Sequence, residues 1–248
     1  VDRRAGSARR LREREALTRA PLASAPLEAR LTFVAEHTAQ EPVPLVPELV
    51  VHTATEVTPL WRATEEWLGA RGVDVPFWSV PWAGGQALAR WVLDHPDAVR
   101  GKRVLDFGAG SGLVALACAK AGAQRVLAVD VDPLAEAACV LNARANGLVI
   151  DVRVEDLVGR ALGAEVDVLV AGDVWYDRSA SARFGPWLDS IVTEGVRVVT
   201  GDPGRTYVPD AAVELARYEV PTREDLESRP SRTTRVLELR GLRAGART

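Results

Sequence analysis

The sequence predicts an α/β chain built on a mostly parallel, doubly wound sheet. Short Val-rich runs are bounded by Gly and Asp, helical patterns lie between them, and a glycine-rich turn joins the first clear strand to the next helix. Strands that read as continuous apolar runs belong in a sheet covered on both faces.

The elements follow in order. Residues 1–41 stand apart, with Arg3, Arg4, Arg9, Arg10, Arg12, Arg14 and Arg19 interleaved with Ala and Ser. They lack the apolar run of a secretory signal and read as an extension, helical or without fixed structure. Residues 42–248 then form one domain, in which 42–100 precede the core at 101–248. Pro42 to Pro47 is extended, because closely spaced prolines do not fit a helix. Leu49 to His52 reads as a short strand and Pro59 to Ala70 as a helix. Phe77 to Gly85 is an aromatic loop, and Gln86 to His95 a helix stopped by Pro96.

Arg103–Phe107 is a strand, Gly112–Ala121 a helix, and Arg125–Val129 a strand. Pro133–Asn146 is a helix with Pro in its first turn and Gly147 past its end. Val149–Val154, Val166–Ala171 and Val196–Gly201 are strands, with a helix over Ser179–Val192 between the last two. Arg217–Val220 and Thr233–Leu239 close the sheet edge.

Composition excludes several function classes. The chain has 248 residues, a formal net charge of −3 and 47% hydrophobic residues, enough for one sizeable core. No global basic field favours nucleic acid as a partner, and no apolar run is long enough to cross a bilayer. Cys118 and Cys139 form no CxxC pair, and His37, His52 and His95 follow no metal-ligand spacing, so no metal is expected.

The run Asp106-Phe107-Gly108-Ala109-Gly110-Ser111-Gly112 carries most of the chemistry. A strand ends in a turn whose glycines accept positive φ and let a ligand approach the backbone. The next strand ends in Asp130-Val131, where a carboxylate suits the two hydroxyls of a ribose. A nucleoside cofactor follows, and two kinds compete. Gly110 to Ala115 matches the dinucleotide fingerprint G-x-G-x-x-A. Asp106 at the head of the run favours S-adenosylmethionine, because a carboxylate repels a pyrophosphate and suits a methionine ammonium. Glu155 and Asp156, after the third strand, are placed to meet an adenine amino group.

The blocks Pro76-Phe77-Trp78, Trp82-Ala83-Gly84-Gly85-Gln86, Gly172-Asp173-Val174-Trp175-Tyr176-Asp177 and Gly201-Asp202-Pro203-Gly204-Arg205 occur in that order. With the glycine run they resemble the electron-transfer-flavoprotein β-subunit lysine methyltransferases, a family of class I methyltransferases. The resemblance runs from about Pro44 to Leu239, with Ala83 standing where Pro is common. It implies a seven-stranded, Rossmann-like methyltransferase sheet with a helical N-terminal extension, and methyl transfer from S-adenosylmethionine to lysine, leaving S-adenosylhomocysteine. The implied partner is a protein, the flavoprotein β-subunit, with a ribosomal protein or a small nicotinamide-like acceptor as alternatives.

On this reading Asp173 contacts the acceptor amine, or else caps the following helix. Tyr176 donates a hydrogen bond or forms a wall. Asp106, Gly108, Ala109, Gly110, Gly112, Asp130, Val131, Glu155, Asp156, Trp82 and Gly84 hold the cofactor. Trp78, Trp175 and Arg205 face the substrate, with Arg205 reading equally as a turn cap. Trp61, Trp67, Trp91 and Trp187 are core. Arg replaces Lys everywhere except Lys102 and Lys120, which suggests a GC-rich bacterial source, and the cysteines suit a reducing cytosol.

Overall fold

The computed structural model describes residues 21–55, 60, 63, 65–223 and 229–241. Its centre is a seven-stranded sheet of β3 (Arg103–Phe107), β4 (Arg125–Asp130), β5 (Asp151–Val154), β6 (Val168–Gly172), β7 (Arg197–Asp202), β8 (Val213–Pro221) and β9 (Ser231–Glu238). The order is β5-β4-β3-β6-β7-β9-β8. The first five are mutually parallel, and β9 and β8 join antiparallel beyond β7. The chain steps outward from β3 to β5, then returns to β6. The carboxyl ends of β3 and β6 therefore flank the point where strand order reverses, where such sheets bind ligands.

Helices cover both faces. On one lie α3 (Ala83–Asp94), α4 (Leu113–Lys120) and α5 (Pro133–Asn146), packed through Leu88, Val92, Leu116 and Cys139 onto Val104, Val170 and Val199. On the other lies α6 (Arg178–Thr193), whose Phe184, Trp187, Leu188 and Ile191 meet Leu105, Leu169 and Val198. Alternate residues of each central strand serve opposite faces, which accounts for their unbroken apolar character.

Before the sheet come α1 (Leu27–His37), a two-stranded hairpin of β1 (Ala39–Val43) and β2 (Val46–Thr53), and a short α2 (Glu65–Gly69). The division expected between residues 41 and 42 falls inside β1. Helix α1 buries Leu31, Phe33 and Val34 against Leu134 and Ala138 of α5, and Arg30 pairs with Glu136 at 2.8 Å. The prolines read as a plain extended stretch are part of the hairpin. Pro42 and Pro47 lie in its strands and Pro44 in its turn, and a two-stranded ribbon tolerates a residue without an N–H. Of the helix expected over Pro59 to Ala70, the described part is Glu65–Gly69; Pro59 and Trp61 lie outside the described residues.

Helix α3 starts earlier than its sequence suggests. Gly84 and Gly85, expected in a loop, form its first turn. A Cβ on Gly84 would collide with the Gly201 carbonyl, one on Gly201 with the Gly84 carbonyl, and one on Gly172 would lie 2.8 Å from Gly85 Cα. Four glycines thus let the helix start rest directly on the ends of β6 and β7.

At the β3–α4 junction Asp106 is 1% exposed. Its Oδ2 accepts the Ala115 N–H at 2.9 Å, capping α4 from the strand. Burial pushes its carboxyl up to about 7, the Asp130 charge adds to this, and the Ala115 hydrogen bond opposes it.

Gly201→Ala forces a methyl against backbone and should cost about 2 kcal/mol or more. A thermal unfolding midpoint several degrees lower is expected; an unchanged midpoint would refute the contact. Asp106 binds its proton more tightly folded than unfolded, so its contribution to stability declines as pH rises from about 4 to about 7 and levels off above. Asp106→Asn keeps an acceptor for Ala115 and removes that decline. Its stability relative to wild type, from urea titrations, should climb through this window, with a ceiling of about 4 kcal/mol at about 1.36 kcal/mol per pKa unit.

Candidate active site

The glycine turn after β3 forms one side of the site. Gly108, Gly110 and Gly112 have φ of 65°, 52° and 76°, all left-handed. This conformation costs little only for glycine. Gly112 also needs its lack of a side chain, since a Cβ there would lie 2.8 Å from Cys139 Sγ. Helix α5 supports the turn from below. Asn142, fully buried, donates from Nδ2 to Ser111 O at 2.8 Å and accepts from His52 N–H at 2.6 Å. Cys139 Sγ donates to Gly110 O at 3.4 Å. Neither Asn142 nor Cys139 stands out in the sequence as a support of this turn. The signal the sequence carries is an Asn in line with Ala135, Ala138 and Cys139 at helical spacing, on a face otherwise apolar, since an amide placed there needs partners.

Asp130 lies at the end of β4, as expected of the ribose acid. Its Oδ2 accepts the Gly110 N–H at 2.8 Å and its Oδ1 the Asp132 N–H at 3.0 Å. Each oxygen keeps further lone pairs, so the carboxylate can steady the turn and still receive hydroxyls. Burial raises its pKa while these N–H groups pull it down. Ala109 is tied to β4 through its N–H to Val129 O at 3.1 Å. Val131, 66% exposed, presents an apolar rim beside Asp130.

The other residues expected at the cofactor have protein contacts of their own. Asp106 lies behind the turn, 1% exposed, with its Oδ2 on the Ala115 N–H. Asp156 is exposed, with its carboxylate on Arg183 and the Val158 N–H, while Glu155 pairs with Arg160. Both side chains are therefore held by arginines, although the Glu155 N–H donates to Asp130 O at 3.0 Å and keeps this segment beside the ribose acid. Gly84 serves the helix–strand contact. Trp82 is part-buried, and its Nε1 donates to Phe77 O at 2.8 Å.

The other side of the site follows β6. Asp173 has φ 58°, the one left-handed non-glycine among the described residues. Such strain persists only where surroundings enforce it. Its N–H donates to Gly201 O at 3.0 Å, and its Oδ2 accepts the Gly85 N–H at 2.7 Å. Asp173 does not cap the helix that follows it. That cap is Asp177, which accepts from Ala180 N–H at 2.8 Å. Asp173 caps α3 instead, from across the sheet edge. Arg205 Nη2 stands 3.4 Å from Asp173 Oδ1, and Asp202 Oδ1 fixes the intervening turn through the Gly204 and Arg205 N–H groups at 2.7 and 2.6 Å.

The aromatic assignments also change. Trp78 is 2% and Trp175 1% exposed, so both are core residues and neither faces a substrate. Trp175 Nε1 donates to Thr200 Oγ1 at 2.9 Å. Trp91 and Trp187 are buried as expected, and Trp67 is half-buried against the α1 cluster. The exposed ring is Phe77, missed in the sequence, at 52%. It lies 5.7 Å from the Tyr176 ring, also 52% exposed, and 6.2 Å from Trp82. Burial is the main cause of a raised Tyr176 pKa, so its hydroxyl stays a donor at neutral pH. Among the described residues no cluster of three or more His, Cys, Asp or Glu suits a metal ion, and no described helix is long and apolar enough to cross a membrane.

A nucleoside cofactor fits this cradle on three observations: left-handed glycines without Cβ atoms, an acid at the end of the adjacent strand, and an exposed apolar rim at Val131. Comparison with known proteins agrees. The family model for ribosomal protein L11 methyltransferase (PrmA) matches residues 91–172, from α3 to the end of β6. A ribosomal protein L11 methyltransferase of Deinococcus radiodurans is 47% identical over 77 residues, 29% of this chain and 28% of its own. The electron transfer flavoprotein beta subunit lysine methyltransferase of Xenopus laevis is 41% identical over 176 residues, 70% of each chain. That of Rattus norvegicus is 40% identical over 153 residues, 59% of this chain and 60% of its own. These longer matches are animal proteins and lend no support to the bacterial source read from the Arg bias. With more than two thirds of a relative's length matched at this identity, the chain belongs to the electron-transfer-flavoprotein β-subunit lysine methyltransferase family and is an S-adenosylmethionine-dependent methyltransferase.

Proposed function

We propose that the enzyme methylates lysine ε-amines of a protein, the β-subunit of electron-transfer flavoprotein, with Asp173 receiving the acceptor nitrogen. The observation that carries this reading is a strained, 9% exposed carboxylate at the switch point, beside the exposed Phe77–Tyr176 ring pair. A carboxylate and aromatic faces together suit a lysine side chain: rings against its methylene stem and charge against its ammonium. A ribosomal acceptor is the weaker reading, since that likeness covers 77 residues against 176 for the flavoprotein enzyme. The two buried thiols, Cys118 and Cys139, suit a reducing compartment, the cytosol on our reading.

Bound on the glycine turn, S-adenosylmethionine supplies a methyl group activated by its sulfonium. Gly108 to Gly112 would take its amino-acid end, Asp130 its ribose and Val131 its base. The protein's task is then the acceptor. A lysine of ordinary pKa costs about 4 kcal/mol to neutralise at pH 7.4. Phe77 and Tyr176 keep water from the nitrogen, which favours the neutral amine. Asp173 orients the nitrogen so that its lone pair lies in line with the methyl group. The proton leaves by way of this carboxylate to solvent.

The test is intact-mass analysis of purified flavoprotein β-subunit after incubation with enzyme and cofactor. Added methyl masses on lysine support the reading, while label confined to small metabolites would overturn it. Asp173→Asn retains an acceptor for Gly85, and Asn tolerates left-handed φ. Methyl transfer should fall at least about 100-fold, in keeping with general acid–base contributions, with adenosylhomocysteine affinity by calorimetry unchanged. Phe77→Ala should raise KM for the protein acceptor about 5-fold or more, the worth of one desolvated cation–ring contact, with the same cofactor affinity. Weakened cofactor binding with unaltered KM would instead assign Phe77 to the cofactor.

A further inference from the structure

We propose that the cavity between the β1–β2 hairpin and the start of α3 is a docking groove for the protein acceptor, taking an aliphatic side chain a few residues from the target lysine. The proposal rests on the lysine-methylation reading above.

One lysine ε-amine is chemically like another, so selection among them has to come from the chain around the lysine. The cavity offers a place for that reading. It measures about 270 Å³, and its walls include Pro42, Val51, Val80, Pro81, Trp82 and Pro221. Proline brings no N–H, and polar groups of the other walls are occupied. Gln86, 2% exposed, donates from Nε2 to Pro81 O at 2.6 Å and accepts the Leu45 N–H on Oε1 at 3.1 Å. Thr53 Oγ1 donates to Ser79 O at 2.8 Å, and Trp82 Nε1 to Phe77 O at 2.8 Å. These bonds tie hairpin, loop and helix start to one another, so the groove is formed before anything binds. What it presents is mainly apolar. A cavity of roughly 150 Å³ holds a benzene-sized group, whereas sites for whole small molecules begin at roughly 300 Å³. The size suits one or two aliphatic side chains.

Position joins the groove to the acceptor site. Trp82 is a wall of the cavity and also the end of a row of rings, 6.2 Å from Phe77, which lies 5.7 Å from Tyr176. The row leads from the turn after β6 to the groove. An extended chain advances about 3.3 Å per residue, so a residue roughly three to five positions from the lysine reaches it. The rim carries Arg223, whose Nη1 donates to Ala54 O at 2.8 Å, and Glu41, exposed and without an ion pair among the described residues. An exposed carboxylate at the mouth complements a segment that bears lysine. A second cavity, with Lys102, Asp167 and Glu194 in its walls, lies at the amino ends of β3, β6 and β7, on the sheet edge away from the glycine turn. It has no such continuity with the acceptor.

The experiment is steady-state kinetics of wild type, Val80→Asn and Pro42→Gln on flavoprotein β-subunit, with thermal midpoints and adenosylhomocysteine calorimetry for each. Both variants should raise KM for the protein about 10-fold, the worth of one buried aliphatic side chain. A contact held equally in ground and transition states moves KM alone, so kcat and adenosylhomocysteine affinity should be kept. On the acceptor, one aliphatic residue within about five positions of the methylated lysine should raise KM when changed to Ala, and should add nothing to the defect of Val80→Asn. Should Val80→Asn fail to fold, Pro42→Gln, at an exposed strand position, decides by the same readings. Unchanged KM would overturn the proposal, and so would fully additive effects of enzyme and acceptor changes. A fall in kcat or cofactor affinity at unaltered KM would overturn it in favour of a structural or cofactor role. If wild type methylates no protein amine, the lysine reading falls and this proposal with it; if wild type is active and both variants match it, this proposal alone falls.

Discussion

The structure depends on one contact, the backbone-to-backbone approach of α3 to the ends of β6 and β7. Gly84 meets Gly201, and Gly85 meets Gly172, at distances that leave no room for a Cβ. This approach brings the Gly85 N–H within 2.7 Å of the Asp173 carboxylate, and Asp173 in turn reaches the Gly201 carbonyl through its own N–H. A carboxylate that satisfies a helix start from another element is positioned more firmly than one at the tip of a free loop. The left-handed φ of Asp173 is the local cost of that arrangement.

The cofactor half repeats the device. Asp106 satisfies the start of α4, Asp130 holds the Gly110 N–H, and Asn142 of α5 ties the turn to β2. Each carboxylate or amide reaches an N–H or carbonyl of another element, so the two sides of the site are locked to one sheet and to each other. Charge that develops during transfer then meets groups already in position, and such preorganisation is where enzymes gain most.

Much of the fold was legible because it obeys short-range rules. The central strands read as apolar runs, α5 carried Pro at its start and Gly147 at its end, and the glycine turn announced its own backbone. The site was less legible where long-range contacts decide. That Asp173 caps α3 depends on a partner 88 residues away in sequence, and that Asp106 is sealed behind α4 depends on how that helix sits. Phe77 and Trp78 are neighbours in a short 3-10 turn, Phe77–Ser79, which has no periodicity to say which ring faces solvent. Packing buries Trp78 and leaves Phe77 exposed. The paired glycines before Gln86 suggested a loop because glycine weakens helices, while the packing demanded a bare helix start.

The most direct measurement of the central claim is the structure of the enzyme with S-adenosylhomocysteine bound. Its sulfur is expected to face Asp173 across a gap of roughly 6–8 Å, room for one methyl group in line with one amine nitrogen hydrogen-bonded to the carboxylate. A sulfur turned away from Asp173, at roughly twice that separation, would contradict it.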